Sequence, residues 1–447
     1  MNEIIINFPG SYEHTLNAIV LALLNEKSLL IKNPYPKLDV HLYNSYLSER
    51  NVFLEYVQDS LKVRVGEEAL GFAHAAESQR FEIDDPVAIY LALKCGDKIK
   101  FRKDGSEDYQ RHILLLRRLG FRFFLPARHD EKVYDYDCIV RYKPNKVKYN
   151  FSPSNYHLAG FLYKVAAICG CQVEVLAKFD ISELGAAAVH PLRIEFENLA
   201  KKSDEEDELQ KRLAKLSKNK KKDPFHLRIS GYEFDCPDEI ILPSDALLTA
   251  YSTVLALRGS ENEIRISNLN KDSEVDALCT ILSKLNANCT FQKASGDRSV
   301  NNYSLTIKPG ELTAKKVDDA KLRICRQAFA PLALAAALTP GKTILRGLPE
   351  ASSLWRGRIS VISEILGSAS VRVGEIEDGI VIESPAEYGD IKYHKYADPY
   401  LQLFQFCAAL MFNTQPLSGD FFDISGHYPD FPEYLKKIRS NAKMIAS

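Results

Sequence analysis

The segment Ser244–Cys289, SDALLTAYSTVLALRGSENEIRISNLNKDSEVDALCTILSKLNANC, holds the pattern that decides the architecture. An apolar helix rich in small residues is followed by a Gly break, a short alternating strand and a second helical period. The same order returns in Ser11–Asn33, SYEHTLNAIVLALLNEKSLLIKN, which runs on into KLDVHLYNSYLSE. It returns again in Arg326–Ser368, RQAFAPLALAAALTPGKTILRGLPEASSLWRGRISVISEILGS, and weaker copies begin near Asp85, Ser154 and Ala397. A period of roughly 70 residues is too long, and the copies too few, for a stacked solenoid. The expected class is α/β (α+β), with a handful of globular αβ units arranged around common cores.

Punctuation inside the copies agrees with that reading. Ile4–Phe8 is a short apolar strand stopped by Pro9-Gly10. Ser11 stands where a helix N-cap would, and Leu16, Ile19, Val20, Leu23 and Leu24 recur at helical spacing. In DDPVAIYLALKCGDKIKFRKDG, Asp84 or Asp85 serves as cap with Pro86 in the first turn. Gly120 and Gly367 are expected as C-terminal stops of second helices. The pattern restarts at Pro243, so the boundary falls near Leu242, with three copies on each side. The expected lobes are 9–241 and 1–8 plus 242–447.

Bulk properties exclude several classes. The net charge is −1, from 58 basic and 59 acidic residues, so no global field recruits nucleic acid or an anionic membrane. Nine cysteines without CxxC pairs argue against a disulfide framework and for a reducing cytoplasm. No signal-peptide pattern opens the chain, and the apolar stretch Ala328–Leu338 is too short to span a bilayer. P-loop, dinucleotide-fingerprint and nucleophile-elbow motifs are missing. The charged run Lys201–Lys222 reads as a solvated insertion with one marginal helix, or alternatively as a contact for a protein partner.

Segment order resembles the enolpyruvyl transferase family, and within it the shikimate-pathway synthase branch. FPGSYEHTLNAIVLALLNEKSLLIKN, SDALLTAYSTVLALRGSENEIRISNLNKDSEVDAL, PLALAAALTPGKTILRGLPE, EDGIVIES, KYADPYLQLFQFCAALMF and HYPDFPEYLKKI follow the family's order over nearly the whole chain. The resemblance implies two lobes, each of three βαβαββ units with pseudo-threefold symmetry (an inside-out α/β barrel). It also implies a substrate held between the lobes and helix N-termini ready to receive anions, because free N–H groups and the helix dipole favour negative charge there. A small phosphorylated or carboxylated metabolite is the implied ligand, with no cofactor and no metal.

The chain departs from the family's functional motifs position by position. Tyr12 matches a motif Lys and Asn17 a motif Arg, while Asp84 and Asp85 replace an Asn-Ala-Gly segment. Ser154, Asn155 and Tyr156 match Ser-Ser-Gln, and His190, Pro191 and Leu192 match Lys-Pro-Tyr. Arg326 matches a catalytic Asp. Of a Lys-Glu-x-x-Arg cluster only Arg358 persists, near Trp355, and of Asp-His-Arg only Asp398, beside Pro399 and Tyr400. Ser425, Gly426 or His427 matches the final Lys.

The candidate ligand-binding set is therefore Ser11, Tyr12, His14, Asn17, Ser154, Asn155, Tyr156, His190, Arg326, Trp355, Arg356, Arg358, Asp398, Tyr400 and His427. Arg326, Arg356 and Arg358 would form an anion cradle, with Trp355 or Tyr400 stacked on a ligand ring. His14, His190 and His427 have no metal-ligand spacing and read as ordinary polar histidines. Three functions stand at this point. One is a repurposed or inactive homologue with its catalytic set dismantled. Another is a divergent active 3-phosphoshikimate 1-carboxyvinyltransferase, and the third is a non-catalytic scaffold.

Overall fold

A computed structural model describes residues 3–66, 80–97, 99–102, 107–124, 136–140, 146–151, 158–177, 189–199, 225–270, 273–293, 303–318, 322, 327–346, 353–414, 417 and 419–438. The insertion Lys201–Lys222 lies outside them, as do Ser154, Asn155, Tyr156, Arg326 and the side chain of Trp355. The chain forms two compact units, 12–32 with 39–240, and 1–11 with 33–38 and 241–447. The division differs from the expected lobes at 9–11, 33–38 and Ile241, which belong to the C-terminal unit. Hydrogen bonds explain this. Gly10 N–H donates to the Asn33 carbonyl (3.0 Å), Tyr35 Oη to the His427 carbonyl (2.8 Å), and Lys37 Nζ to the Ser425 carbonyl (2.6 Å).

In the C-terminal unit, strand Glu3–Ile6 pairs in parallel with Glu263–Leu269. Tyr303–Ile307 and Cys289–Lys293 complete that sheet in antiparallel fashion. Helix Ala246–Gly259 precedes the second strand and helix Ser273–Lys284 follows it, so the unit reads βαβαββ, with its first strand supplied from the chain's start. A second sheet repeats the order with strands Lys316–Asp318, Lys342–Arg346, Gly379–Glu383 and Arg372–Ile376. The sixth expected copy, near Ala397, has helices Pro399–Phe412 and Phe431–Ile438 but no sheet of its own among the described residues.

Among the described residues the N-terminal unit carries three sheets. Glu239–Ile241, Leu29–Lys32, Ser60–Val65 and Val52–Val57 form one. Lys146–Asn150, Gln172–Ala177, Phe225–Glu233 and Arg193–Asn198 form another. Ile99–Phe101, Tyr136–Val140 and Phe121–Phe124 form the third, where Phe81 adds a single parallel bridge to Phe101 in place of a first strand.

The apolar helices singled out by the sequence form the centres. Helix Phe329–Ala337 is buried along its whole length, and Ala246–Gly259 is buried from Leu247 to Leu257. These two pack on each other and on Pro399–Phe412, as an all-round apolar helix must. In the N-terminal unit, helix Pro86–Tyr90 packs against Tyr12–Asn25 and Leu158–Cys169. Gly120 adopts φ 93 just beyond helix Glu107–Arg118. Gly367 does not stop its helix, which runs to Ser368 and turns at Ser370 with φ 66.

Candidate functional site

Among the described residues, two polar clusters form around candidate residues, one in each unit. In the N-terminal unit the first turn of helix Tyr12–Asn25 supplies Tyr12, Glu13, His14 and Asn17. Tyr12, 43% exposed, shares a 2.8 Å hydrogen bond with the buried Tyr43 hydroxyl, which donates to Asp85 Oδ2 at 2.7 Å. Because Tyr43 spends its one proton on Asp85, Tyr12 is the donor to Tyr43. Asp85 Oδ1 caps helix Pro86–Tyr90 by accepting from Val87 N (2.8 Å) and Ala88 N (3.0 Å). Burial pushes the Asp85 carboxyl up to about 6, against the opposing hydrogen bonds from Tyr43, Ala88 and Val87. Burial and the Asp85 charge push both phenols above their ordinary range.

Lys164 holds its ammonium 2.7 Å from Glu13 Oε1. The Lys164 side chain is 3% exposed and that of Glu13 47%. Burial works against the lysine's charge, but Glu13, Asp84 and Asp85 more than offset it, so its pKa is raised. Burial likewise lifts Glu13, and the charge and hydrogen bond of Lys164 reverse that shift, leaving its carboxyl below the usual value. Asn17 is fully buried and donates from Nδ2 to the His190 carbonyl at 3.0 Å. The His14 and His190 rings meet edge-on at 5.3 Å. Burial, then His14 and Arg193, lower His190 to about 3, so its imidazole is neutral at pH 7 and offers no cation to a ligand.

In the C-terminal unit, helix Ser353–Ser368 aims Arg358 at Asp398, the cap of helix Pro399–Phe412. Arg358 Nε donates to Oδ2 at 2.6 Å and Nη2 to Oδ1 at 3.1 Å, a two-point pair that also receives Tyr400 N at 3.0 Å. The guanidinium carbon stands 4.5 Å from the centre of the Tyr400 ring. Tyr400 is 5% exposed; its hydroxyl accepts from Ala330 N (3.1 Å) and donates to the Gln327 carbonyl (3.0 Å). Buried Tyr251 adds another phenol here, raised well above its usual value by burial and then by Tyr400.

Five helix N-termini among the described residues hold carboxylates or a hydroxyl of the chain itself. Asp85 and Asp398 do so as described, Asp245 accepts from Leu248 N at 2.9 Å, Asp39 from Leu42 N at 3.1 Å, and Ala330 N is taken by Tyr400. Of the three arginines expected to form a cradle, Arg326 lies outside the described residues, Arg358 is paired with Asp398 and stands over the Tyr400 ring, and Arg356 is exposed. His427 is exposed in a turn and Ser11 half-buried in the C-terminal unit. Sequence reasoning missed Tyr43, Glu13, Lys164 and Tyr251. Lys164 did carry a signal, as the lone charge in the apolar helix LAGFLYKVAAIC. Among the described residues no group of three or more His, Cys, Asp or Glu is disposed to hold a metal ion.

The chain is similar to an EPSP synthase structure from Acinetobacter baumannii, with TM-score 0.63 and 15% identity over 99% of this chain and 96% of that one. It is also similar to the enolpyruvyl transferase NikO from Streptomyces tendae, with TM-score 0.60 and 12% identity over 98% and 94%. By sequence it is 22% identical over 204 residues to a 3-phosphoshikimate 1-carboxyvinyltransferase of Thermoanaerobacter sp. (strain X514). The chain is thus similar to EPSP synthases at low identity. No family model matches it. The chain spans about half the length of the curated relatives it matches, 47% of the Thermoanaerobacter enzyme. Its fold is that of the enolpyruvyl transferases. No helix among the described residues is long and apolar enough to cross a membrane.

Proposed function

We propose that this protein is a repurposed enolpyruvyl-transferase homologue that does not transfer a carboxyvinyl group from phosphoenolpyruvate to 3-phosphoshikimate. One observation carries the reading: three helix N-termini, each able to receive an anion, are capped by the chain's own Asp85, Asp245 and Asp398. A substrate anion would have to displace a tethered carboxylate and meet its repulsion. Each charge-assisted contact so forgone is worth about 1.5–3 kcal/mol, and several together remove many powers of ten in affinity.

Proton transfer is equally poorly served. Carboxyvinyl transfer needs an acid and a base poised at the reacting groups. At the position matching the family's Lys stands Tyr12, whose phenol is raised above its usual range by burial and Asp85, so it stays protonated and supplies no base. Arg358, the cation that persists in the motif, is already paired. The decisive experiment is phosphate release from phosphoenolpyruvate with 3-phosphoshikimate, run beside calorimetric titration of each compound. The expected result is no saturable release and no heat of binding. Saturable turnover that scales with protein concentration refutes the reading and restores an active, divergent transferase.

A further inference from the structure

Helix Leu158–Cys169 ends on one cysteine, and Cys171 follows two positions on. Between them Gly170 takes φ 69, in the left-handed region. The Gly170 and Cys171 amides both donate to the Ala166 carbonyl, at 2.9 and 3.3 Å, and the chain passes at once into strand Gln172–Ala177. Backbone turning at helical angles of either hand sets Cα atoms two positions apart at about 5.5 Å, within the roughly 4.4–6.8 Å that a disulfide spans. The side chains use that proximity, because the Cys169 thiol donates a hydrogen bond to the Cys171 sulfur. This bond, against burial, draws the Cys171 thiol below its ordinary value. Tyr232 Oη donates to the Cys171 carbonyl and fixes that residue from the neighbouring strand Phe225–Glu233. The two cysteines differ in burial. Cys171 is 2% exposed, whereas Cys169 is half-buried and lies next to the exposed Gly170.

We propose that Cys169 and Cys171 are a reversible dithiol–disulfide site that takes its oxidising equivalents from a peroxide. The Cys169 thiolate attacks one oxygen of hydrogen peroxide and the O–O bond breaks. The departing hydroxide takes the proton that the thiol gave up and leaves as water, with a sulfenic acid on Cys169. The Cys171 thiolate then attacks the Cys169 sulfur, so the S–S bond forms as the S–O bond breaks. The expelled hydroxide takes the Cys171 proton and leaves as the second water. Two thiols lose two electrons, and one peroxide becomes two waters. Burial divides the labour: the more exposed sulfur meets the oxidant, and the buried one, already in contact and lowered toward its thiolate, resolves the sulfenic acid. Closure spans a single intervening residue, so it removes little chain entropy and adds little stability. The bond is a chemical state of the N-terminal unit and stands whether or not the protein turns over phosphoenolpyruvate.

The test uses the full chain in its reduced form, exposed to hydrogen peroxide at pH 7, quenched with iodoacetamide and digested with trypsin. Both cysteines fall in one tryptic peptide, 165–178, so closure appears as an unalkylated peptide lighter by two hydrogens, restored by dithiothreitol. The expected result is closure about tenfold faster in the folded chain than in the same chain unfolded in urea, since folding holds the sulfurs in contact. In Cys171→Ala, dimedone should trap a sulfenic acid on Cys169, and in Cys169→Ala the buried Cys171 should stay unmodified. An equal or slower rate in the folded chain overturns the proposal, as does a parent peptide that takes iodoacetamide on both cysteines after peroxide. Dimedone on Cys171 in Cys169→Ala overturns the order of attack. Should Cys171→Ala fail to fold, judged by circular dichroism, the comparison of folded and unfolded parent chain decides without any substitution.

Discussion

Replacing Asp398 by Ala separates the two roles that one carboxylate plays, and it tests the reasoning on which the functional proposal depends. The change removes the cap hydrogen bond to Tyr400 N, worth about 1 kcal/mol. It also strips the carboxylate from Arg358, whose side chain is 19% exposed, at a cost of about 1.5–3 kcal/mol for a charged contact. The sum is about 3 kcal/mol, which for a unit of roughly 150–250 residues lowers its melting temperature by about 6–12 °C. Differential scanning calorimetry resolves which unit's transition moves. The variant should also gain something, because the uncovered helix end and the released Arg358 now form an anion site. Inorganic phosphate at ten times its dissociation constant should then return about 1.4 kcal/mol, against a chloride control of equal ionic strength. The parent protein should show no such response. Equal stabilisation of parent and variant by phosphate would refute the claim that Asp398 occupies the anion position. A loss below about 1 kcal/mol would show that its pair with Arg358 contributes nothing.

Other outcomes follow from the same geometry. Glu13→Gln leaves the Lys164 ammonium buried without its carboxylate and should cost about 3 kcal/mol, and Lys164→Met in that background should recover most of it in urea unfolding. Asp85, an acid raised in the folded state to about 6 from 3.8, binds its proton more tightly folded than unfolded. Its contribution is therefore largest below about pH 4 and is lost as pH rises through 6, so Asp85→Asn should flatten that part of the stability profile. Glu174 has the opposite sign. Hydrogen bonds from Lys146 and Arg228 hold it at about 2, so its stabilisation is present above the unfolded value and fades as pH falls toward 2. Glu174→Gln should abolish that acid-side loss in a pH series of thermal melts. Gly379→Ala places a Cβ 1.9 Å from the Leu345 carbonyl oxygen and should disrupt the hairpin Arg372–Glu383, visible as lost soluble yield or a collapsed melting transition.

Much of the local structure was legible one residue at a time. Asp85 before Pro86 reads as a cap because an Asx side chain followed by Pro satisfies the first N–H groups without needing any distant residue. The helices Ala246–Gly259 and Phe329–Ala337 read as interior because no polar stripe interrupts them. Gly367 misled, since a glycine near a helix end signals a stop only where the backbone turns left-handed, and here Ser370 makes that turn.

Partnership was a different matter. Arg358 was visible as a persisting cation, but nothing in its surroundings announced that Asp398, forty residues on, would neutralise it. Tyr43 and Asp85 are 42 positions apart, and Glu13 and Lys164 are 151 apart. Period, capping and break residues act over one or two turns of chain, so the order of helices and strands, and through it the enolpyruvyl-transferase fold, was written into the sequence itself. Whether a cation stays open to a ligand or is spent on its own chain depends on which distant side chain packs within 3 Å of it. Tertiary packing alone decides that, because the strength of an ion pair falls with distance in space and takes no account of separation along the backbone.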